Sequence, residues 1–152
     1  MLKRFFLLAL LSAAVFATAS YGQEKAVVRS QKAKAMLVGK HKFSLQWISW
    51  DYFGSASVTV RNGVYRLKGE QKGRGNGDFV TIDGIITEIT EKTFVFKGTV
   101  LTQVSTINEG RPCTRDGEMT FRITGSRKYW RLQDIDNPCD AVADYVDIYF
   151  RR

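Results

Sequence analysis

The chain has 152 residues, with 23 Lys and Arg side chains against 15 Asp and Glu, for a formal net charge of +8. This length predicts a single domain, and the low proline and moderate glycine contents exclude collagen-like and proline-rich disordered chains. A balance this basic raises the question of a nucleic-acid or membrane-surface partner. The answer depends on where the charge lies in the chain.

The N-terminus has the three parts of a secretory signal peptide. Two basic residues precede an apolar run over residues 5–16, and small residues follow at 17–20. The run is shorter than the roughly 20 apolar residues that a bilayer-spanning helix needs. We therefore predict that residues 1–22 are a signal peptide, cleaved after Ala19 or after Gly22, and that the protein is periplasmic or secreted.

Most of the remaining charge lies in one segment near the N-terminus. Residues 23–42 hold six basic side chains and one acidic one, whereas residues 43–152 hold fifteen basic and fourteen acidic side chains. We interpret 23–42 as a basic arm, with a helix over residues 24–36 as one option, and 43–152 as a single, nearly neutral β domain. This distribution argues against a nucleic-acid-binding fold and favours, at most, weak contact of the arm with an anionic surface.

After the arm, apolar and polar residues alternate with period two, which is typical of β-strands. Asn62 and Gly63 predict a type I′ turn, because both central residues of that turn need positive φ. Folding the chain at this turn pairs Val60 with Tyr65 on one apolar face. Both arms of the hairpin agree on which face is apolar, so the register is well specified.

A Gly-Ser turn at residues 125–126 predicts a second hairpin, since type II′ turns prefer glycine first. This hairpin pairs Phe121 with Trp130 on its apolar face. On the opposite face it places Arg122 beside Tyr129.

Further alternating segments, including residues 93–104 and a last strand near 145–150, give about eight short strands and no long helix. This count favours an all-β, antiparallel up-and-down barrel, which removes exposed strand edges; a β-sandwich is the alternative. The size and strand number resemble those of lipocalin-type ligand carriers. The Gly-x-Trp near the first strand of those proteins is absent, because Gly39 is followed by Lys40 and His41, and a likeness at fold level carries no function.

Cys113 and Cys139 are the only cysteines, and in an exported chain we expect them to form a disulfide. Continued down the ladder of the second hairpin, they fall almost opposite each other. Each follows a proline, Pro112 or Pro138, which suits a strand end where no ladder donor is needed. A redox or metal role is the alternative, but no CxxC motif or further thiol supports it.

The residues needed for common catalytic sites are scarce. His41 is the only histidine and no Gly-x-Ser-x-Gly motif is present, so we interpret His41 as a solvated surface residue. Carboxylate pairs such as Glu88 with Glu91, or Asp144 with Asp147, arise by chance among fifteen acids. We therefore predict no catalytic residues, no cofactor and no enzymatic activity.

A calcium loop is the one metal site that the sequence raises. Residues 134–138 begin like a calcium loop, but Pro138 stands where a ligand is expected and Cys139 where glycine is expected. A weak calcium site would use Asp134, Asp136 and Asp140. We interpret this segment as a solvated acidic turn and predict no metal site.

The predicted inward faces are rich in aromatic side chains, which either fill the core or line a cavity for one small ligand. The candidate ligand-lining residues are Trp47, Tyr65, Phe94, Phe96, Phe121 and Trp130. The first functional hypothesis is therefore an exported, non-enzymatic barrel that binds a small apolar or amphipathic ligand.

The outer face provides the second hypothesis. Four basic and aromatic side chains are expected to cluster there: Arg122, Arg127, Tyr129 and Arg131. Such an arrangement binds phosphate, sulfated glycan or a partner protein. The alternative function is a protein-interaction or inhibitory module that acts through this face; the sequence does not determine its oligomeric state.

Overall fold

Residues 24–151 are described by a computed structural model, and the predicted signal peptide lies outside these described residues. The elements in chain order are β1 (Val27–Val28), α1 (Gln31–Leu37), β2 (Gly39–Leu45), β3 (Gly54–Arg61), β4 (Val64–Lys72), β5 (Phe79–Ile89), β6 (Thr93–Gln103), a 3₁₀ turn (Asn108–Gly110), β7 (Cys113–Arg122), β8 (Tyr129–Leu132) and β9 (Val146–Tyr149). Within the described part of the chain, no helix has the length and hydropathy that crossing a membrane requires.

Strands β2 to β9 form a closed antiparallel barrel in which each strand pairs with its neighbours in sequence. Pairing of β9 with β2 closes the cylinder. The short strand β1 is not one of the eight barrel strands. It pairs in parallel with β5, with Val27 opposite Glu88. The predicted eight-stranded up-and-down barrel is therefore confirmed, and the alternative β-sandwich is not the fold.

The first predicted hairpin is confirmed in both its turn and its register. Val60 pairs with Tyr65, and the turn residues Asn62 and Gly63 have φ values of 52° and 79°. The apolar face is shorter than predicted, because Val60 is 41% exposed whereas Tyr65 is buried. The core therefore ends before the tip of the hairpin.

The second hairpin forms with a different register from the predicted one. Phe121 pairs with Leu132, not with Trp130, and Arg122 pairs with Arg131. The shift is two residues, and side chains alternate between faces with a period of two. Each residue of this hairpin therefore keeps its predicted face despite the wrong partner.

The loop of this hairpin contains the predicted turn but extends beyond it. Gly125 has a φ of 58°, and the amide of Arg127 donates to the carbonyl of Thr124 over 3.3 Å, so the predicted turn is present. The amide of Ile123, however, donates to the carbonyl of Lys92 over 2.8 Å. The loop between β7 and β8 therefore covers residues 123–128 and is longer than the predicted two-residue turn.

The predicted disulfide between Cys113 and Cys139 is confirmed, with a Cα–Cα distance of 5.9 Å. Its route differs from the predicted ladder, since β8 ends at Leu132 and Cys139 lies in the loop of residues 133–145. The disulfide therefore ties this loop to the start of β7. It does not lie at the end of a continuous hairpin.

The described part of the basic segment, residues 24–42, contains β1, α1 and the start of β2. The hydroxyl of Ser30 caps α1 by accepting from the amide of Ala33 over 3.1 Å, and Ala33 and Leu37 are buried in the core. They lie four residues apart and therefore share one face of the helix, which packs against the barrel. The first barrel strand begins at Gly39, within the segment that we interpret as a basic arm.

The barrel interior is filled by stacked aromatic rings. The rings of Phe94 and Phe121 stack with their centroids 4.9 Å apart, and Trp130 packs edge-on against Phe94 at 6.0 Å. All three side chains are almost fully buried. These three side chains belong to one continuous core.

Two facing glycines make room for one of these rings. Gly84 and Gly98 are partners on β5 and β6, and the ring of Phe96 lies 2.7 Å from the position that a Cβ would take on either. A side chain at either position would also meet backbone atoms of the facing strand at closer than 3 Å. The glycines are therefore required for the strands and this ring to pack together.

Replacing both Cys113 and Cys139 with serine should lower the free energy of unfolding by about 3–4 kcal/mol, because the unfolded chain loses its cross-link. Urea denaturation followed by far-UV circular dichroism measures this change. Alkylation of the denatured wild type should raise its mass only after reduction. A rise in mass on alkylation without reduction would show that the bond is absent.

Candidate binding groove

Basic and aromatic side chains face outward from three neighbouring strands. Lys40 and Lys42 on β2, Tyr149 on β9 and Tyr129 on β8 alternate with residues that are buried in the core. Tyr129 and Tyr149 are direct partners in the β8–β9 ladder, so their side chains lie on the same side of the sheet. Alternation thus places cations and aromatic rings together on the barrel exterior.

The aromatic rings form a continuous row on this face. The ring centroid of Tyr149 lies 5.0 Å from that of Phe53 and 5.2 Å from that of Tyr129. The ammonium group of Lys42 lies 4.9 Å from the centroid of Phe53, at a distance where a cation is attracted to a ring face. The row therefore combines apolar area with an adjacent positive charge.

A groove of about 850 Å³ runs along this row, and it is defined by its lining residues: Lys40, His41, Lys42, Phe53, Gly54, Ser55, Lys128, Tyr149, Phe150 and Arg151. Four of the ten are Lys or Arg, and none is Asp or Glu. Its walls therefore attract an anion, while the rings offer apolar contact.

Phe53 reaches this row because the preceding loop is anchored to the barrel. Gln71, which is almost fully buried, accepts a hydrogen bond from the amide of Leu45 over 2.7 Å. The same side chain donates to the carbonyl of Tyr52 over 3.0 Å. Both ends of the loop are thus held by one amide, which positions Phe53 against Tyr149.

The prediction that His41 is solvated is wrong, because His41 is 4% exposed and lies at the base of the groove. Its Nδ1 lies 2.9 Å from the carbonyl oxygen of Tyr149 and its Nε2 lies 2.7 Å from that of Leu37. The side chain is on the inward face of β2, where its ring packs edge-on against Trp130 at 5.9 Å. His41 therefore connects α1, β2 and β9.

A buried ion pair supports the aromatic row from below. The guanidinium of Arg131 donates two hydrogen bonds of 2.7 Å to the carboxylate of Asp147, which is fully buried. The guanidinium also lies over the rings of Tyr145 and Tyr129, at 4.1 and 5.1 Å. Burial raises the pKa of Asp147, and the hydrogen bond to Asp147 raises the pKa of Arg131.

The four predicted surface residues are brought together on this face. Arg122 is the direct partner of Arg131, and the guanidinium of Arg127 lies 5.7 Å from the ring of Tyr129. Arg122 and Arg127 are exposed, whereas Arg131 is committed to Asp147. The predicted patch therefore continues the groove through Tyr129, and Arg122 and Arg127 are its exposed cations.

The candidate ligand-lining residues separate into two groups. Five of them are buried in the core: Tyr65, Phe94, Phe96, Phe121 and Trp130. Trp47 is instead 40% exposed, and its indole N–H donates to the carbonyl of Ala143 over 3.1 Å. Its inward placement is wrong because β2 ends at Leu45, so the alternation stops before it.

The carboxylates that raised the question of acid–base work are held by different arginines. Asp144 accepts from Arg115 over 3.2 Å and from Asn137 over 2.9 Å, and burial raises its pKa. Asp147 is bound by Arg131. Each carboxylate is therefore stabilised as part of a separate structural network.

In the loop of residues 133–145, which contains the predicted acidic turn, Asp140 is hydrogen-bonded to backbone amides. Its carboxylate accepts from the amides of Asn108 and Ala141, both over 2.7 Å, and these bonds lower its pKa. Asp134 and Asp136 are exposed. Across residues 24–151, no group of three or more His, Cys, Asp or Glu side chains is arranged to hold a metal ion.

Several residues of the groove were missed by the sequence patterns. Lys40 and Lys42 would have been placed on the outer face if β2 had been started at Gly39, since the alternation continues through them. Phe53 carries no such signal, because it lies in a loop and meets Tyr149 only through the fold. The groove could therefore be predicted in part only.

Comparison with known proteins identifies relatives without a described activity. The model of the PM1083 family matches residues 25–150. A protein of Pasteurella multocida (strain Pm70), described as "Uncharacterized protein PM1083", is 49% identical over 119 residues, which is 78% of this chain and 76% of the relative. No solved structure matches the chain.

Replacing Arg131 with methionine should destabilise the protein by about 3–5 kcal/mol at neutral pH, because it leaves the buried Asp147 charge unpaired. The deficit should shrink as the pH falls, since protonation removes a charge whose pKa is raised in the folded state. Urea denaturation at several pH values measures both effects. The variant Arg131→Met with Asp147→Leu is the matched control and should recover most of the loss. A single variant as stable as wild type would contradict this role.

Proposed function

The chain belongs to the PM1083 family, and we propose that it is a non-enzymatic binding protein whose ligand occupies the outer groove. The observation that carries this proposal is the combination of Lys40, Lys42, Lys128 and Arg151 around an aromatic floor, with no carboxylate in the lining. Such a groove fits a small amphipathic ligand with an anionic group and an apolar or aromatic body. This proposal keeps the small amphipathic ligand of the first functional hypothesis. It moves the binding site from the barrel interior to the outer groove.

The packing of the interior supports the outer location. Tyr65 and four other inward aromatic candidates are each at most 3% exposed. The rings of those four contact one another: Phe94, Phe96, Phe121 and Trp130. A ligand inside the barrel would have to displace these rings, at a cost of several kcal/mol for each large side chain removed from the core. The groove already offers open volume beside exposed cations.

The commitment of polar side chains supports a role without catalysis. Asp144 and Asp147 are each engaged by an arginine, and both ring nitrogens of His41 lie within hydrogen-bond distance of backbone carbonyls. A general base needs to reach a substrate proton, whereas these groups already contact arginines or backbone carbonyls of the protein itself.

The disulfide supports an exported location, because such bonds form and persist in oxidising compartments. We propose that the mature protein is periplasmic or secreted, after removal of the signal peptide predicted over residues 1–22.

The anionic aromatic probe 8-anilinonaphthalene-1-sulfonate tests the groove directly. Lys42→Glu should weaken its binding by about tenfold, because the variant replaces attraction with repulsion beside Phe53. Fluorescence titration measures the affinity. Lys92→Glu is the matched control, with the same charge change at an exposed residue outside the groove, and should bind the probe like wild type. Equal affinity of all three proteins would place the probe elsewhere and contradict the proposal.

A second candidate function is a protein-interaction or inhibitory module that uses Arg122, Arg127, Tyr129 and Arg131. It is favoured by the stacking of two guanidinium groups against Tyr129, since Arg and Tyr are enriched at interface hot spots.

The double variant Arg122→Ala with Arg127→Ala tests this second candidate and leaves the ion pair of Arg131 with Asp147 intact. A partner captured from an extract of exported proteins by the wild type should be lost by the double variant, because truncating hot-spot arginines costs more than about 1 kcal/mol each. Quantitative mass spectrometry of the captured proteins measures this. Capture that is unchanged would count against the patch.

A further inference from the structure

Exposed cations without ion-pair partners concentrate at one end of the barrel, which we call the basic end. It comprises β1, α1, the β3–β4 and β5–β6 turns and the β7–β8 loop. The exposed basic side chains there are Lys25, Lys32, Arg61, Lys92, Arg127 and Lys128. Within residues 24–151 none of them lies within 4 Å of a carboxylate.

The acids at the basic end do little to offset this charge. Glu24 pairs with Lys97 and Glu88 pairs with Arg29, so both are already matched by other cations. Glu91 is exposed and, in the described part of the chain, is the carboxylate at this end without an ion-pair partner. The basic end therefore carries a large net positive charge.

The opposite end of the barrel has the reverse character. Its loops expose Asp51, Asp134, Asp136 and Asp140, which are in no ion pair among the described residues. The strands that separate the two ends are up to eleven residues long, or about 35 Å when extended. This separation exceeds the Debye length of about 8–10 Å at physiological salt, so the acidic end does not cancel the field at the basic end.

The beginning of the described chain lies at this same basic end. The amide of Ala26 donates to the carbonyl of Gly63 over 3.0 Å, and the side chain of Lys25 lies against Gly63 in the β3–β4 turn. The sequence just before this point contains the apolar run of residues 5–16. The chain therefore enters the barrel at its most cationic surface, directly after the segment that resembles a signal peptide.

We propose that the basic end docks on an anionic phospholipid bilayer and holds the barrel with its acidic end pointing away. A bilayer presents negative headgroups over an area, which matches cations spread over several turns and a helix better than a single small anion does. Each Lys or Arg near such a surface strengthens binding by about fivefold, the equivalent of about 1 kcal/mol. The six exposed cations together give a surface contact that depends strongly on salt.

Vesicle co-sedimentation with the exported, processed protein tests this proposal. Vesicles of phosphatidylcholine alone are compared with vesicles that also contain phosphatidylglycerol, at low and high salt. The test variant is Lys25→Glu with Lys32→Glu and Lys92→Glu, at residues that do not line the groove. The matched control is Lys68→Glu with Arg74→Glu and Arg111→Glu, which makes the same change in net charge away from the basic end.

We expect the wild type to bind the anionic vesicles at low salt and to release at high salt. The basic-end variant should bind at least about 100-fold more weakly, and the control variant should bind within a few-fold of the wild type. Equal losses in the two variants would overturn the proposal, because binding would then follow net charge alone. Binding to heparin without binding to anionic vesicles would also overturn it and would indicate a soluble polyanion instead.

Discussion

The barrel depends on a closure in which few backbone pairs are available. Strand β9 pairs with β2 over three residues and with β8 over three, and β7 pairs with β8 over two, whereas β6 makes ten pairs with β7. A ladder this short supplies few hydrogen bonds across the seam. Side-chain hydrogen bonds and ion pairs therefore have to supply part of the stabilisation across the seam.

Three side-chain connections reinforce this seam. Arg131 and Asp147 join β8 to β9, and His41 joins β2 to the end of β9 and to α1. The disulfide fastens the long loop between β8 and β9 to the start of β7. Removing one partner of a buried pair leaves the other uncompensated, so these connections are costly to break.

The same seam carries the groove. Once Asp147 and Arg131 are buried against the outer face, Tyr129 and Tyr145 pack over the guanidinium, and Tyr149 extends the aromatic row toward Phe53. The cations that line the groove lie beside this row, without carboxylates among them. Strand β9 therefore contributes both to the closure, through Asp147, and to the proposed binding groove, through Tyr149.

Local patterns in the sequence determined the all-β class, the number of barrel strands, the hairpin at Asn62 and Gly63, and the disulfide. Each of these features depends on alternation, turn stereochemistry or the number of thiols. The tertiary structure decided the register of the second hairpin, in which β7 pairs with β6 over ten residues but with β8 over two. It also decided the burial of His41 and the groove around Phe53 and Tyr149, which are far apart in sequence. A period of two specifies which face a residue takes, but the partner it meets across the barrel depends on how the whole sheet closes.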